Sequence, residues 1–335
     1  MTLRTIVIGA SGYAGSELVR LLQAHERVSL THIYVSENSA DKGKKISDLY
    51  GKLFGVCDMT LEPLENVDEV AKNADVVFLA TDHKVSHDLA KTFVNNNCHV
   101  FDLSGAFRVN DLEFYDKYYD FTHENGDLLA KAVYGLCEWC DILDLQDTRL
   151  IALPGCYPTA SELALKPLIE AKIIDTNFKP IINAISGVTG SGRKASLTSS
   201  FCEVSTQAYK IFNHRHKPEI EQELGTKVIF NPHLGNFKRG ILATVSAKLT
   251  DFYTKDEISE IYYDAYKVSP MVRLKDSMPR IQDVEGTPYC DIGFSVDDGY
   301  IVICSCIDNL LKGAASQAIQ AMNLHFAFEE TTALL

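Results

Sequence analysis

The chain has 335 residues, 46% of them hydrophobic and 23% charged, which is the profile of a folded globular protein with room for two domains of ordinary size. A net charge of −13 speaks against nucleic acid as a partner, because a phosphate backbone is held by an excess of Lys and Arg, and it requires any anionic substrate to meet a local basic cluster. No stretch approaches the roughly 18 apolar residues that span a bilayer. The start, MTLRTIVIGASGYAG, lacks a signal-peptide core, and nine scattered cysteines, an odd number, read as reduced thiols. A cytoplasmic protein without membrane contact is expected.

The β-branched run 4–8 predicts a buried parallel strand. The turn Gly9-Ala10-Ser11-Gly12-Tyr13-Ala14-Gly15 follows, and then helical spacing over Ser16–Leu22. Strand, glycine turn and helix together are the setting in which a backbone can approach a pyrophosphate, so Gly9, Ser11, Gly12, Tyr13, Ala14 and Gly15 are candidate dinucleotide contacts. A second strand over Leu30–Val35 ends at Ser36-Glu37-Asn38-Ser39. Ser36, Ser39 and nearby Lys42 suit the 2′-phosphate of NADP(H), whereas Glu37 alone would suit the ribose diol of NAD. A strand at 74–80 leads to His83, then to a helix expected to bury Val85, Leu89, Ala90 and Val94, then to a strand at 98–102. This βαβα alternation predicts a Rossmann-type doubly wound parallel sheet.

Ligands of such sheets bind beyond the carboxyl ends of strands, which makes Ser104 and Arg108, in Asp102-Leu-Ser-Gly-Ala-Phe-Arg108, candidates for a substrate anion. The segment Pro154-Gly-Cys156-Tyr-Pro158 precedes an amphipathic stretch from Ser161 to Ile174. With Pro158 at the first helical position, Cys156 sits just before a helix N-terminus, where the dipole favours a thiolate and hence a nucleophile. His214 and His216 should point to one side of an extended segment, ahead of a helix that starts at Pro218 and carries Glu219 in its first turn. A His-x-His pair without a third firm ligand predicts no metal. Cys137 and Cys140 match C-x-x-C but lack the context of a redox or zinc site, and the aromatic run 114–119 reads as packing. Strand-like runs at 179–186, 227–231, 240–249 and 299–307 predict an α+β domain over 156–309. A final helix should bury residues 315, 318, 319 and 322.

Six motifs, in order, carry a resemblance: GASGYAG at 9–15, DLSGAFR at 102–108, PGCYPTA at 154–160, SGVTGSGRKA at 186–195, HRHKPEIEQEL at 214–224 and DNLLKGAASQAIQAMN at 308–323. The chain resembles the N-acetyl-γ-glutamyl-phosphate reductases of arginine biosynthesis, relatives of the aspartate-semialdehyde dehydrogenases. The resemblance implies NADPH-dependent reduction of a small acyl phosphate to an aldehyde, with release of phosphate, through a thioester on Cys156. His214 or His216 would be the acid/base, with the two left unseparated. Lys194, Arg215 and Glu219 would join Ser104 and Arg108 at the substrate. Gly187, Gly190 and Asn309 would lie near the nicotinamide. It further implies that 1–155 and 310–335 form the NADP-binding domain, that 156–309 form a catalytic domain like that of glyceraldehyde-3-phosphate dehydrogenase, and that the protein is a homodimer or homotetramer. Reductases of aspartyl or carrier-bound aminoadipyl phosphate, and a non-catalytic NADP-binding regulator, are the alternatives.

Overall fold

The opening β-branched run becomes the middle of a seven-stranded sheet. In this computed structural model, which describes residues 2–335, the strands are β1 (Leu3–Ile8), β2 (Val28–Val35), β3 (Leu61–Pro63), β4 (Val76–Leu79), β5 (His99–Asp102), β6 (Val133–Tyr134) and β7 (Leu150–Ala152). They stand in the order β3-β2-β1-β4-β5-β7-β6, and every pairing is parallel. The order reverses direction between β1 and β4, and that switch point is where the carboxyl ends of strands open a crevice for a ligand. Ile6, Val7, Ile8, the whole of Val76–Leu79, Val100 and Phe101 are buried, as a sheet covered on both faces requires. The strand at 74–80 is thus the fourth and not the third. β3, only three residues long and ending in Pro63, has too little pattern to stand out in sequence.

Helix His83–Asn95 buries Ser86, His87, Ala90 and Phe93. Of the face expected to be buried, Ala90 lies in the core and Leu89 and Val94 pack against it, while Val85 is exposed. His87 stacks on Phe107 and meets Phe121 and His123, so aromatic packing with the 114–123 region decides the face. The helix Ser316–His325 completes this first unit, which comprises Met1–Gly155 and Ala314–Leu335. Ala315, Ala318, Ile319 and Met322 are all fully buried. Arg149 donates to His99 Nε2 (3.1 Å), so His99 carries its proton on Nδ1 and donates to His325 Nε2 (2.7 Å). That leaves the Nδ1–H of His325 for the Leu145 carbonyl (2.6 Å).

The second unit, Cys156–Gly313, is built on a mixed sheet. Its strands are β8 (Ile181–Ser186), β9 (Gln207–Ala208), β10 (Ile229–Leu234), β11 (Ile241–Lys248), β12 (Val272–Leu274), β13 (Cys290–Asp297) and β14 (Tyr300–Ile307), in the order β12-β13-β14-β11-β8-β10-β9. The helix Cys156–Glu170 packs on β11 and β14 and against helices His216–Leu224 and Lys255–Tyr266. It is buried on every side from Tyr157 to Leu165, not amphipathic as expected. Pro167 cannot donate to the carbonyl of Leu163, one turn earlier, and the hydroxyl of Tyr266 occupies that carbonyl at 2.6 Å. Tyr262 donates to Ala164 in the same way (2.6 Å). The opposite face of the sheet presents Ile181, Tyr300 and Val302 to the outside. Among the described residues no helix is long and apolar enough to cross a membrane.

Burial lowers the pKa of His99 and His123 to about 4, and the neighbouring His325 and His87 respectively add to the effect. Both rings are neutral when folded and take a proton more readily when unfolded. Folding stability should therefore start to fall as pH drops through about 6.5 and continue falling to about 4. Urea unfolding midpoints at pH 7 and pH 5 check this: the midpoint is lower at pH 5, and His99→Asn reduces the difference.

Candidate active site

In the first unit the glycine turn is shaped by contacts that admit no side chain. Gly9 has φ +87°, and a Cβ there would stand 2.3 Å from the Ala80 carbonyl oxygen. One on Gly15 would stand 2.3 Å from the oxygen of Gly9. Helix Tyr13–Gln23 starts three residues earlier than expected, so Tyr13, Ala14 and Gly15 form its first turn. Their N–H groups run along the helix axis toward the crevice end of β1, an arrangement that fits a pyrophosphate. The hydroxyl of Tyr50 donates to the Ser11 carbonyl (2.8 Å) and braces the loop. Past β2, Lys42 Nζ donates to the Glu37 carbonyl (3.1 Å) and Ser39 Oγ accepts the Asp41 N–H (3.2 Å). Ser36 and Lys42 are exposed there.

Asp102, fully buried and with its pKa raised by that burial, accepts both the backbone N–H and the hydroxyl of Ser104, each at 2.9 Å. Ser104 Oγ accepts the Ala106 N–H (3.1 Å). Arg108 donates from Nε to the Leu153 carbonyl (2.6 Å) and from Nη2 to that of Leu103 (2.7 Å). The sequence offers Ser104 and Arg108 to a substrate anion; in the structure both tie the strand ends together. His83 is the first residue of its helix, and its Nδ1 accepts the Gly105 N–H (2.8 Å), a contact the sequence did not reveal.

In the second unit Cys156 is itself the first residue of its helix, which starts two residues earlier than expected, and it is half-buried. Pro158 lies in the first turn. The next residue, Tyr157, is ringed by aromatic groups. Its centroid lies 5.7 Å from that of His214 and 6.0 Å from that of His216, and the two imidazoles are 4.8 Å apart. Tyr209 approaches His214 at 5.5 Å and donates to the hydroxyl of Tyr157 (3.4 Å), which donates to the His233 carbonyl (2.8 Å). The segment is not extended: helix His216–Leu224 starts at His216 itself, two residues ahead of Pro218. The backbone N–H of His216 donates to Nδ1 of His214 (3.1 Å), which places the His214 proton on Nε2. Burial, with help from Arg215 and Lys210, holds the His214 pKa down at about 3. Glu219 is buried in the same helix, Arg215 is half-exposed, and Arg193 and Lys194 are exposed.

The loop after β8 is ordered by backbone bonds. Gly187 donates to Gly240 (2.9 Å), Val188 to Phe237 (2.9 Å) and Thr189 to Lys238 (3.1 Å). A Cβ on Gly187 would lie 2.6 Å from the Arg239 nitrogen. Asn309 closes the group, accepting the Gly240 N–H (2.6 Å) and donating to Thr189 Oγ1 (3.0 Å). Gly187, Gly190 and Asn309 therefore do come together. Sequence reasoning missed Tyr157, Tyr209, Asp308 and Gly313, although three of these adjoin or lie within motifs it had singled out.

Residues 4–142 match the family described as "Semialdehyde dehydrogenase, NAD binding domain", and residues 156–309 match "Semialdehyde dehydrogenase, dimerisation domain". The N-acetyl-gamma-glutamyl-phosphate reductase of Aliivibrio fischeri is 57% identical over 99% of this chain and 100% of its own length, and that of Escherichia coli K12 is 52% identical over the same shares. The chain belongs to the N-acetyl-gamma-glutamyl-phosphate reductase family. It is an oxidoreductase of the semialdehyde dehydrogenase type. Among solved structures, aspartate semialdehyde dehydrogenase II of Vibrio cholerae superposes with a TM-score of 0.74 at 17% identity, covering 98% of this chain and 99% of its own. An aspartate semialdehyde dehydrogenase with NADP from Candida albicans gives 0.67 at 15%, with the same coverage. At such identities these are likenesses of fold.

A methyl group on Gly9 meets backbone at both its φ and its space, whereas one on Gly12 meets only the Gly9 oxygen, at 3.3 Å. Gly9→Ala should therefore lower unfolding stability by about 2 kcal/mol or more, and Gly12→Ala by less than about 1 kcal/mol, in urea titrations.

Proposed function

We propose that this chain reduces N-acetyl-γ-glutamyl phosphate to N-acetylglutamate semialdehyde with NADPH, releasing phosphate, as a step of arginine biosynthesis in the cytoplasm. The reading is carried by a half-buried thiol at the start of a buried helix, beside a tyrosine flanked by two imidazoles, in a chain 57% identical over its length to a named reductase.

Cys156 attacks the acyl carbonyl as a thiolate, favoured by the helix N-terminus. The C–S bond forms, the C–O bond to phosphate breaks, and phosphate leaves with the bonding pair. NADPH, when bound, supplies the hydride that reduces the thioester. Residues 9–15 would hold the pyrophosphate and Ser36, Ser39 and Lys42 the 2′-phosphate, while Gly187, Gly190 and Asn309 are assigned to the nicotinamide by the family motifs alone. His214, neutral and with Nδ1 engaged by the backbone, is a fixed Nε2–H donor and a poor exchanger of protons near neutral pH. The exchange falls to His216. It protonates the thiohemiacetal oxygen, then takes the proton back as the C–S bond breaks, so that aldehyde leaves and thiolate returns. Glu219, three residues on along the same helix face, orients His216. Arg215, Lys194 and Arg193 supply positive charge for the substrate anions that the acidic chain otherwise repels. The uncovered face of the second sheet, within the residues matching the dimerisation family, joins copies into a homo-oligomer.

Phosphate-dependent reduction of NADP by N-acetylglutamate semialdehyde tests the reading, with aspartate semialdehyde as control. Turnover with the first alone is expected; turnover with the control alone would move the proposal to aspartyl phosphate, and turnover with neither would end it. Cys156→Ser should remove activity. His216→Asn should lower kcat by roughly 10²–10⁴-fold and flatten its pH profile, while His214→Asn should cost about tenfold and keep the profile's shape. The reverse ranking would transfer the proton to His214.

A further inference from the structure

Asp308 carries a carboxylate that no solvent reaches, and every oxygen on the residue is spoken for within the second unit. Oδ1 accepts the backbone N–H groups of Leu310 (2.8 Å) and Leu311 (3.1 Å). Oδ2 accepts Nε of Arg239 (2.5 Å) and the N–H of Gly286 (2.7 Å). The Asp308 carbonyl accepts the N–H of Gly313 (2.9 Å). Two consequences follow from those bonds. Arg239 is drawn in between Lys238, whose carbonyl holds Thr189, and Gly240, whose N–H holds Asn309. Gly313, closing the wide helical turn Leu311–Ala315, is seated directly on the candidate nucleophile: a Cβ on it would lie 2.8 Å from Cβ and 3.2 Å from Cα of Cys156. Wide turns of this kind, with an extra residue in the helical ring, collect at functional sites.

We infer that Asp308 is a positioning residue for the reaction: one buried carboxylate sets both the seat of Cys156, through Gly313, and the Asn309–Thr189 clasp, through Arg239. It touches no reacting atom itself. The inference rests on the reading of Cys156 as nucleophile. Its force comes from the donors that converge on the group. Four N–H groups are aimed at one buried carboxylate, so replacing one oxygen by an amide turns a donor toward either Arg239 and Gly286 or Leu310 and Leu311. The loops then part, and the two distances that depend on them change together.

Asp308→Asn and Gly313→Ala are compared with the parent enzyme and with Asp264→Asn, which removes an exposed ion pair on the same unit. Three readouts are taken: urea unfolding, the rate of Cys156 alkylation by iodoacetamide followed by mass spectrometry, and kcat and KM in the NADP-dependent direction. For both variants kcat should fall about a hundredfold, with KM for the semialdehyde within about threefold of the parent and alkylation about tenfold slower. Asp264→Asn should match the parent throughout. Gly313→Ala is the sharper probe, because the helix propensity that alanine gains works against the crowding its Cβ meets at Cys156, so displacement of the thiol is the main change. A slower thiol in a protein that unfolds no more easily is a displacement of Cys156 and not a loss of fold. A folded Asp308→Asn, or, if that variant fails to fold, a folded Gly313→Ala, with kcat and alkylation within about threefold of the parent overturns the inference. If the parent turns over neither semialdehyde, the functional reading falls, and the alkylation rates alone still decide whether Asp308 sets the thiol.

Discussion

The helix Cys156–Glu170 has almost no side facing water, and the second unit is arranged to make that possible. A helix sunk in a core must satisfy its backbone ends and any break in its own ladder without solvent. Pro167 makes such a break, and the hydroxyls of Tyr262 and Tyr266 reach in from the neighbouring helix to the carbonyls of Ala164 and Leu163. Ser161 turns its hydroxyl back onto the Tyr157 carbonyl (2.8 Å). Since the body of the helix is locked in this way, its first residue has little freedom to wander. The thiol is presented from a rigid element, which favours precise chemistry over a loop-borne nucleophile.

The same economy governs buried polar groups in each unit. Asp102 and Asp308 are each held by backbone N–H groups as well as by a side chain, and the buried His214 ring accepts a backbone N–H. Buried polar groups that are fully paired fix a single arrangement, because any alternative leaves a donor or acceptor stranded at a cost of about 1–3 kcal/mol. Arg193 and Lys194, proposed for the substrate anions, are instead exposed.

Much of this was legible in the residues. The strand–glycine–helix unit, the parallel alternation, the four main strands of the second sheet and the inward face of the last helix follow from periodicity alone, because each has a long or regular pattern. What escaped had short or hidden signals. β3 is three residues ending in proline, and β13 reads Cys-Asp-Ile-Gly-Phe-Ser-Val-Asp, with a glycine that dulls its alternation. Helix Lys255–Tyr266 was announced by its capping box, Thr254 with Glu257, yet went unread. The inner face of helix His83–Asn95 was read only in part, because Ser86 and His87 are polar residues buried by tertiary partners, and composition assigns such residues to water. The backbone carbonyls that Arg108 meets were hidden for a related reason. A motif shows that a residue type is needed, but whether an arginine meets a ligand or two carbonyls depends on chain segments 45 residues apart.

The placement of residues 314–335 in the first unit bears on how the chain acquires its shape. The second unit is one continuous stretch from Cys156 to Gly313, whereas the first is closed by a segment that follows it. During synthesis the nucleotide-binding sheet emerges first but waits for its last helix, with the side of His99 that His325 covers and the partner of His25 still missing. The second unit, made from one continuous stretch, has no such wait. Domains fold as units as they leave the ribosome, and contacts that span most of a chain form late. The later-made half is thus free to fold before the earlier-made half is finished, and the nucleotide-binding sheet receives its last helix only after the whole thiol-bearing unit has been made.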